Sequence, residues 1–270
     1  MRTSVLIARY PTPLRYPGGK QRLGGFFAEL LRRNNLTGSQ YLEPFAGGAG
    51  VGLYLLRRGL VDSICLNDAD RAIYAFWFAV ARRNGALRKL IERTPISVAE
   101  WDRQKDVQRN KSTAPLLELG FSTLFLNRTN RSGILRAGMV GGREQKGEWR
   151  LYARFDKAAM VARIAALYPY VSRISISCLD AVEFLASTVG GSPRKKFVYL
   201  DPPYFVKGTD LYLNRYTADD HLSLATFIKN KVSCSWVITY DDVPQVRKLY
   251  AKYRKRSFLL TVQTIRELLI

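Results

Sequence analysis

The sharpest chemical feature of the sequence is Asp201-Pro-Pro-Tyr204, which directly follows the apolar run Phe197–Leu200. That run reads as a buried strand. Two prolines make a rigid turn without free amide hydrogens. The turn holds the Asp201 carboxylate and the Pro202 carbonyl outward at the strand's end. Such a pair of acceptors can grip the two hydrogens of an exocyclic amino group, and Tyr204 offers a flat face for a base to stack on. The plainer alternative is a structural Pro-Pro turn; its setting between an acid and an aromatic ring argues against it.

Three further acids stand at expected strand ends. Glu43 opens the turn Glu43-Pro-Phe-Ala-Gly-Gly-Ala-Gly50, which contains Phe45, Gly47 and Gly48. A glycine-rich turn lets a ligand approach the backbone and the following helix N-terminus. It is no P-loop, because no Gly-Lys-Ser/Thr follows. Glu43 would repel phosphate but receive a cation or an ammonium group. Asp68 lies about 20 residues past the glycines, the spacing at which an acid accepts both ribose hydroxyls of an adenosine. Asp180 is placed to accept from an adenine amino group. Taken singly, each acid is as readily a helix cap or a loop charge. Together they line one crevice that suits a positively charged nucleoside such as S-adenosylmethionine. Near the N-terminus, Arg15-Tyr-Pro-Gly-Gly-Lys20 combines a close-approach Gly-Gly with a lysine that can reach a carboxylate. Alone it reads as a plain loop with a surface lysine.

These residues need a frame. Gln40–Pro44, Ser63–Asn67, Arg173–Cys178, Phe197–Leu200 and Cys234–Thr239 read as buried parallel strands, and Phe258–Val262 and Glu267–Ile270 close the chain. Helical patterns at Gly50–Arg58 and Ala218–Asn230 alternate with them, which argues a doubly wound α/β sheet. From Tyr74 to Phe155 the pattern is mostly helical and basic, over Ala75–Asn84, Ala86–Glu92, Val98–Asn110 and Pro115–Phe125. The Gly-rich stretch Gly133–Gly147 then reads as a hairpin with a flexible tip. Residues 1–73 and 156–270 are expected to form the catalytic domain, and 74–155 an inserted, mainly helical target-recognition subdomain.

Composition narrows the partners. Among 270 residues, 43 Lys+Arg face 22 Asp+Glu, a net charge of +21. Such a surface attracts polyanions, nucleic acid first and an anionic membrane surface second. Arg128, Arg131, Arg136, Arg143, Lys146 and Arg150 cluster in one segment, and Arg247, Lys248, Lys252, Arg254, Lys255 and Arg256 in another. No apolar run approaches the ~18 residues of a membrane span, and the apolar stretch near the start is too short for a signal peptide. The three cysteines, Cys65, Cys178 and Cys234, sit in apolar, strand-like runs without metal-ligand spacing, so reduced core residues of a cytoplasmic protein without a metal are expected. The single histidine, His221, is expected at a helix surface or cap.

In this order the motifs resemble the Dam-type (alpha-group) DNA adenine-N6 methyltransferases, over nearly the whole chain. Tyr16 to Lys20 is similar to that family's N-terminal cofactor motif, Glu43–Gly50 to its Gly-rich motif, Asp68 to its ribose-binding acid, Asp180 to its adenine contact and Asp201–Tyr204 to its catalytic motif. Phe125-Leu-Asn-Arg-Thr-Asn-Arg-Ser-Gly133 is similar to the entry into its target-reading hairpin. The resemblance implies a Rossmann-like seven-stranded methyltransferase sheet, S-adenosyl-L-methionine as cofactor, double-stranded DNA as substrate and base flipping. It also implies a monomer, with Arg128, Arg131, Arg136, Arg143 and Lys146 on the DNA. Glu43 replaces a common Asp, Tyr16 stands where some relatives have Trp, and Ser132-Gly133 replaces a common Asn-Gly, which leaves the DNA word open. Competing readings are an N4-cytosine or RNA methyltransferase, though cytosine enzymes more often carry Ser at position 201, and a non-catalytic DNA-binding relative. The loop Phe205–Thr217 reads as a mobile flap near the phosphates.

Overall fold

The computed structural model describes residues 12–15, 18–190, 195–205, 216–260 and 265–270. Its strands are β1 (Ser39–Glu43), β2 (Val61–Asn67), β3 (Ile174–Ser177), β4 (Lys196–Leu200), β5 (Ser235–Asp241), β6 (Arg256–Leu260) and β7 (Ile265–Leu269). The helices among the described residues are α1 (Gly24–Arg33), α2 (Gly50–Arg57), α3 (Arg71–Arg82), α4 (Asn84–Arg93), α5 (Val98–Arg109), α6 (Leu116–Thr129), α7 (Lys157–Ala165), α8 (Ala181–Thr188), α9 (Ala218–Lys231) and α10 (Pro244–Leu249). The sheet order is β3-β2-β1-β4-β5-β7-β6. The first five strands are parallel; β7 pairs antiparallel with β5, and β6 with β7.

The central strand β4 is buried along its whole length, and β1 and β2 along most of theirs, because both faces of the sheet are covered there. Successive side chains point to opposite faces. Tyr41, Ile64, Leu66, Phe197, Tyr199 and Val237 enter one core, with Phe27, Leu53, Phe76, Trp77 and Phe125. Leu42, Cys65, Val198, Leu200, Ile238 and Tyr240 enter the other, with Phe184, Leu224 and Ile228. The first core runs without a break from the sheet into α3–α6, the helices of the middle segment. Side-chain caps fix several helix starts: Asp70 accepts from Ala72 N at 3.0 Å, Ser97 from Glu100 N at 3.1 Å, and Thr217 forms a capping box with Asp220. No helix among the described residues is long and apolar enough to cross a membrane.

The segment expected as a hairpin forms no pair of strands. One antiparallel bridge joins Asn130 and Met139, and beyond it the chain proceeds by turns. The reason is local. Ser132 (φ 55°) and Gln145 (φ 51°) adopt left-handed backbone, as do Gly133, Gly141 and Gly142, and each interrupts an extended run. Side chains brace the loop instead. Asn130 Nδ2 donates to the Ile134 and Leu135 carbonyls at 2.9 and 3.0 Å, Trp101 Nε1 donates to Asn130 Oδ1 at 2.7 Å, and Lys105 Nζ donates to the Leu135 carbonyl at 2.9 Å.

Candidate active site

Parallel register brings the carboxyl ends of β1, β2 and β4 to one edge, and three acids meet there. Asp201 leaves β4. Lys20 Nζ lies 3.1 Å from its Oδ1 and 3.2 Å from its Oδ2, and Thr239 Oγ1 donates to Oδ1 at 2.6 Å. Thr239 stands there because β5 pairs Ile238 with Leu200, so the next residue of each strand is its neighbour's neighbour. Lys20 also donates to the Gly18 carbonyl at 2.7 Å and the Tyr204 hydroxyl at 2.9 Å. Lys20, which read alone as a surface lysine and which the resemblance set in the cofactor motif, is buried. Asp241, at the end of β5, accepts from Phe205 N at 2.9 Å and fixes the chain just past the motif.

Glu43 lies at the bottom of the crevice, 4% exposed, and its Oε2 has no donor among the described residues. Helix α2 packs tightly over it. A Cβ at Gly52 would sit 2.9 Å from both Glu43 Oε2 and Tyr41 Cε1, so no larger residue fits that turn. Burial, then the charges of Asp201 and Asp68, push the Glu43 carboxyl well above the usual range. Asp68 is half-buried; its Oδ2 accepts from Gly47 N at 2.9 Å and its Oδ1 from Asp70 N at 2.9 Å. Burial, only partly offset by those amides, pushes its pKa up to about 7.

Asn67 ties the strand ends together. Its Nδ2 donates to the Pro44 and Leu179 carbonyls, both at 3.0 Å, and its Oδ1 accepts from Leu179 N at 3.0 Å and Ser177 Oγ at 2.8 Å. Asp180 is exposed and caps α8 through Val182 N at 2.8 Å, the plainer of its two sequence readings. Its charge reaches Tyr216, whose ring meets Phe45 edge-on at 5.8 Å. Phe45 is half-buried at the rim, and Gly48 lies in the turn ahead of α2. Pro202 is buried. Tyr16 lies outside the described residues, as do residues 206–215 of the expected flap.

Four expectations need correction. Cys178, expected in the core, is exposed because β3 ends one residue before it. Tyr204 presents no open stacking face: it is 4% exposed, its hydroxyl bonds Lys20, and the Lys20 ammonium lies 5.1 Å from its ring centroid. Arg128 is not a surface cation. It is buried and donates to the Pro13 carbonyl, and burial, with Arg163 and Arg15 nearby, pushes its pKa down to about 9. His221 is buried rather than at the surface, with Nδ1 2.8 Å from the Tyr240 hydroxyl and its ring against Phe205 and Tyr216; Thr217 is the helix cap. Arg131, Arg136, Arg143, Lys146 and Arg150 are exposed. Of these, Arg143 makes a two-pronged pair with Asp102 at 2.9 and 2.7 Å, and Lys146 pairs with Glu144 at 2.9 Å.

Asn127 and Arg128 clasp the N-terminal segment. Asn127 Oδ1 accepts from Arg15 N and its Nδ2 donates to the Arg15 carbonyl, both at 2.8 Å, with a further bond to the Gly133 carbonyl at 2.9 Å. Gly133 closes this joint: its φ is +78°, and a Cβ there would lie 2.6 Å from the Arg15 carbonyl. Nothing in the local sequence announced Asn127 as a brace. The role of Thr239 had one signal, a hydroxyl after the apolar run Trp236–Ile238.

Comparisons with known proteins place the chain in a family. The chain is 24% identical over 238 residues to the type II methyltransferase M.MjaIII of Methanocaldococcus jannaschii, covering 80% of this chain and 78% of that protein. It is 25% identical over 219 residues to the type II methyltransferase M.CviBI of Paramecium bursaria Chlorella virus NC1A, again covering 80% and 78%. Among solved structures it is similar to the rRNA methyltransferase AviRa of Streptomyces viridochromogenes, at 14% identity and a TM-score of 0.41, over 94% of this chain and 86% of that one. Residues 16–268 match the D12 class N6 adenine-specific DNA methyltransferase family, and the chain belongs to that family, whose members methylate the exocyclic nitrogen of adenine in DNA with S-adenosylmethionine as donor.

Proposed function

We propose that the strand-end crevice holds S-adenosylmethionine and that Asp201, with the Pro202 carbonyl, activates the amino group of an adenine extruded from double-stranded DNA. The supporting observation is the Lys20–Asp201–Thr239 clamp beside two acids of raised pKa. The acids fit the cofactor's chemistry: Glu43, buried with an unmatched oxygen, gains from a cation nearby, and Asp68 stands where a ribose can donate to it. When bound, the cofactor supplies an electrophilic methyl group on a sulfonium.

The rest falls to this chain. The amino nitrogen of adenine is a poor nucleophile because its lone pair is delocalised into the ring. Asp201 and the Pro202 carbonyl accept its two hydrogens and draw the nitrogen toward tetrahedral geometry, which frees the lone pair for in-line attack. Lys20 and Thr239 fix the carboxylate's orientation, so positioning and electrostatics lower the barrier. The proton released as the new bond forms lies within reach of the Asp201 carboxylate. Extruding the base costs a few kcal/mol, and stacking on an aromatic ring offsets about 1–3 kcal/mol of it. For Tyr204 to stack, its ring must leave the Lys20 contact, so release of the Tyr204 hydroxyl accompanies base entry.

In this reading residues 74–155 serve as the target-recognition region and residues 1–73 and 156–270 as the catalytic body. Arg131, Arg143 and Lys146 meet phosphates, which fix register without carrying sequence information, and Arg136 reads a base edge. The protein acts as a monomer in the cytoplasm. Sequencing that reports methylated bases, on DNA from cells expressing the chain, tests the reading: N6-methyladenine at one fixed word is expected, and its absence overturns the proposal.

A further inference from the structure

Outside the crevice, one concavity of about 240 Å³ opens on the recognition region, lined by Arg131, Ser132, Val140, Gly141, Trp149 and Arg154. That is smaller than the roughly 300–1,000 Å³ typical of ligand pockets, which suits a single ring system better than a nucleoside cofactor. Trp149 is 60% exposed at its wall, whereas Trp77 and Trp101 are buried. The wall is built in advance. Gln145 donates to the Val140 carbonyl at 2.9 Å and the Gly142 carbonyl at 2.5 Å and accepts from Leu151 N at 2.7 Å, which pins the backbone on both sides of Trp149. Gln145 and Ser132 both adopt left-handed backbone, the kind of stored strain that concentrates at functional surfaces.

The lining carries two guanidiniums and no acid. Arg154 also acts on Arg15, whose pKa burial and then the Arg154 charge push down, so cations crowd one spot. An exposed indole sharing a lining with two arginines is the combination that stacks a base and holds its phosphate. The place matters as well. Ser132 precedes Gly133, which packs on Arg15, and Arg15 runs within five residues to the Asp201-bound Lys20.

We propose that Arg131, Trp149 and Arg154 seat an unpaired nucleobase of the DNA substrate, the indole stacking on the base and the guanidiniums holding its flanking phosphate. The inference rests on the DNA-methylating reading above. Extruding one base leaves another without a partner, and this seat takes an unpaired base of that kind.

Tryptophan fluorescence of the full chain, titrated with a short oligothymidylate, tests it. The oligonucleotide should quench the emission, and Trp149→Phe should abolish that part of the quench while keeping affinity within about threefold, because a ring remains. Trp149→Ala should weaken binding about tenfold (about 1.4 kcal/mol). Arg154→Gln should weaken it and make the salt slope shallower by about one unit. Both side chains are exposed, so the fold is not at stake. Unchanged binding by Trp149→Ala overturns the seat. So does equal quenching by inorganic tripolyphosphate, which would leave only a phosphate site. Methyl transfer to DNA by the wild type, measured alongside, separates the readings: transfer with a silent Trp149 sinks the seat alone, and no transfer sinks both.

Discussion

The ammonium of Lys20 touches both carboxylate oxygens of Asp201, at 3.1 and 3.2 Å, across 181 positions of sequence. One salt bridge thus joins the N-terminal Gly-Gly-Lys segment to the Asp-Pro-Pro-Tyr turn. A hydrogen bond to a charged group contributes about 1.5–3 kcal/mol, and each 1.4 kcal/mol of barrier is about tenfold in rate. Lys20→Ala should therefore lower kcat at least tenfold, and Lys20→Arg should keep part of it. Radiolabelled methyl transfer under saturating substrate checks this; an unchanged kcat contradicts the clamp.

Cofactor affinity should depend on pH through Asp68. Its pKa is raised to about 7, and only the carboxylate accepts from both ribose hydroxyls. Affinity is then full above pH 7 and falls as the pH drops through 7 and the group takes up a proton. Asp68→Asn should bind S-adenosylmethionine about tenfold more weakly at pH 8 and flatten that slope. Calorimetry from pH 6 to 8 measures both, and a parallel slope in the variant contradicts the assignment.

The joint between α6 and the N-terminal segment should show in stability. Asn127 contributes three hydrogen bonds from a buried position, each with a net worth of about 0.5–1.5 kcal/mol. Asn127→Ala should cost about 2–3 kcal/mol. Gly133→Ala should cost a similar amount, because the new Cβ meets a backbone carbonyl in a left-handed conformation. Denaturant unfolding checks both, and a loss below 0.5 kcal/mol in either contradicts the joint.

Much of this architecture was legible because the strands of a sheet covered on both faces are short apolar runs ending in chemistry. Phe197–Leu200 and its Asp201 could be read directly. Helices α1, α7, α8 and α10, of six to ten residues, escaped because so few turns carry little periodic signal, whereas α2, no longer than α8, was marked by the Gly-rich turn ahead of it. The loop after Asn130 was misread because glycine between apolar flanks marks a turn without saying whether strands flank it. Its shape depends on Asn130, Trp101 and Lys105, which meet it from other elements. Arg128 and His221 show the remaining limit: charge and polarity predict exposure, and here tertiary partners, the Pro13 carbonyl and the Tyr240 hydroxyl, overrode that.

His221 makes the fold acid-sensitive. Burial lowers its pKa from 6.5 to about 4, so the unfolded chain binds a proton that the native site refuses. Its contribution is complete above about pH 6.5 and is lost as the pH falls toward 4, on the order of 2 kcal/mol. His221→Gln should lose less stability than the wild type between pH 7.5 and 4.5 in denaturant unfolding; superimposable pH profiles contradict this.

The central claim is that Asp201 activates the adenine amino group. Its most direct test is the yield of N6-methyladenine, measured by mass spectrometry after single turnover of Asp201→Ala on DNA that the wild type methylates, with DNA affinity measured on the same protein. The account predicts loss of methyl transfer by at least a thousandfold with DNA affinity changed less than about threefold, because the phosphate contacts lie elsewhere. Methylation by the variant within tenfold of the wild type would contradict it.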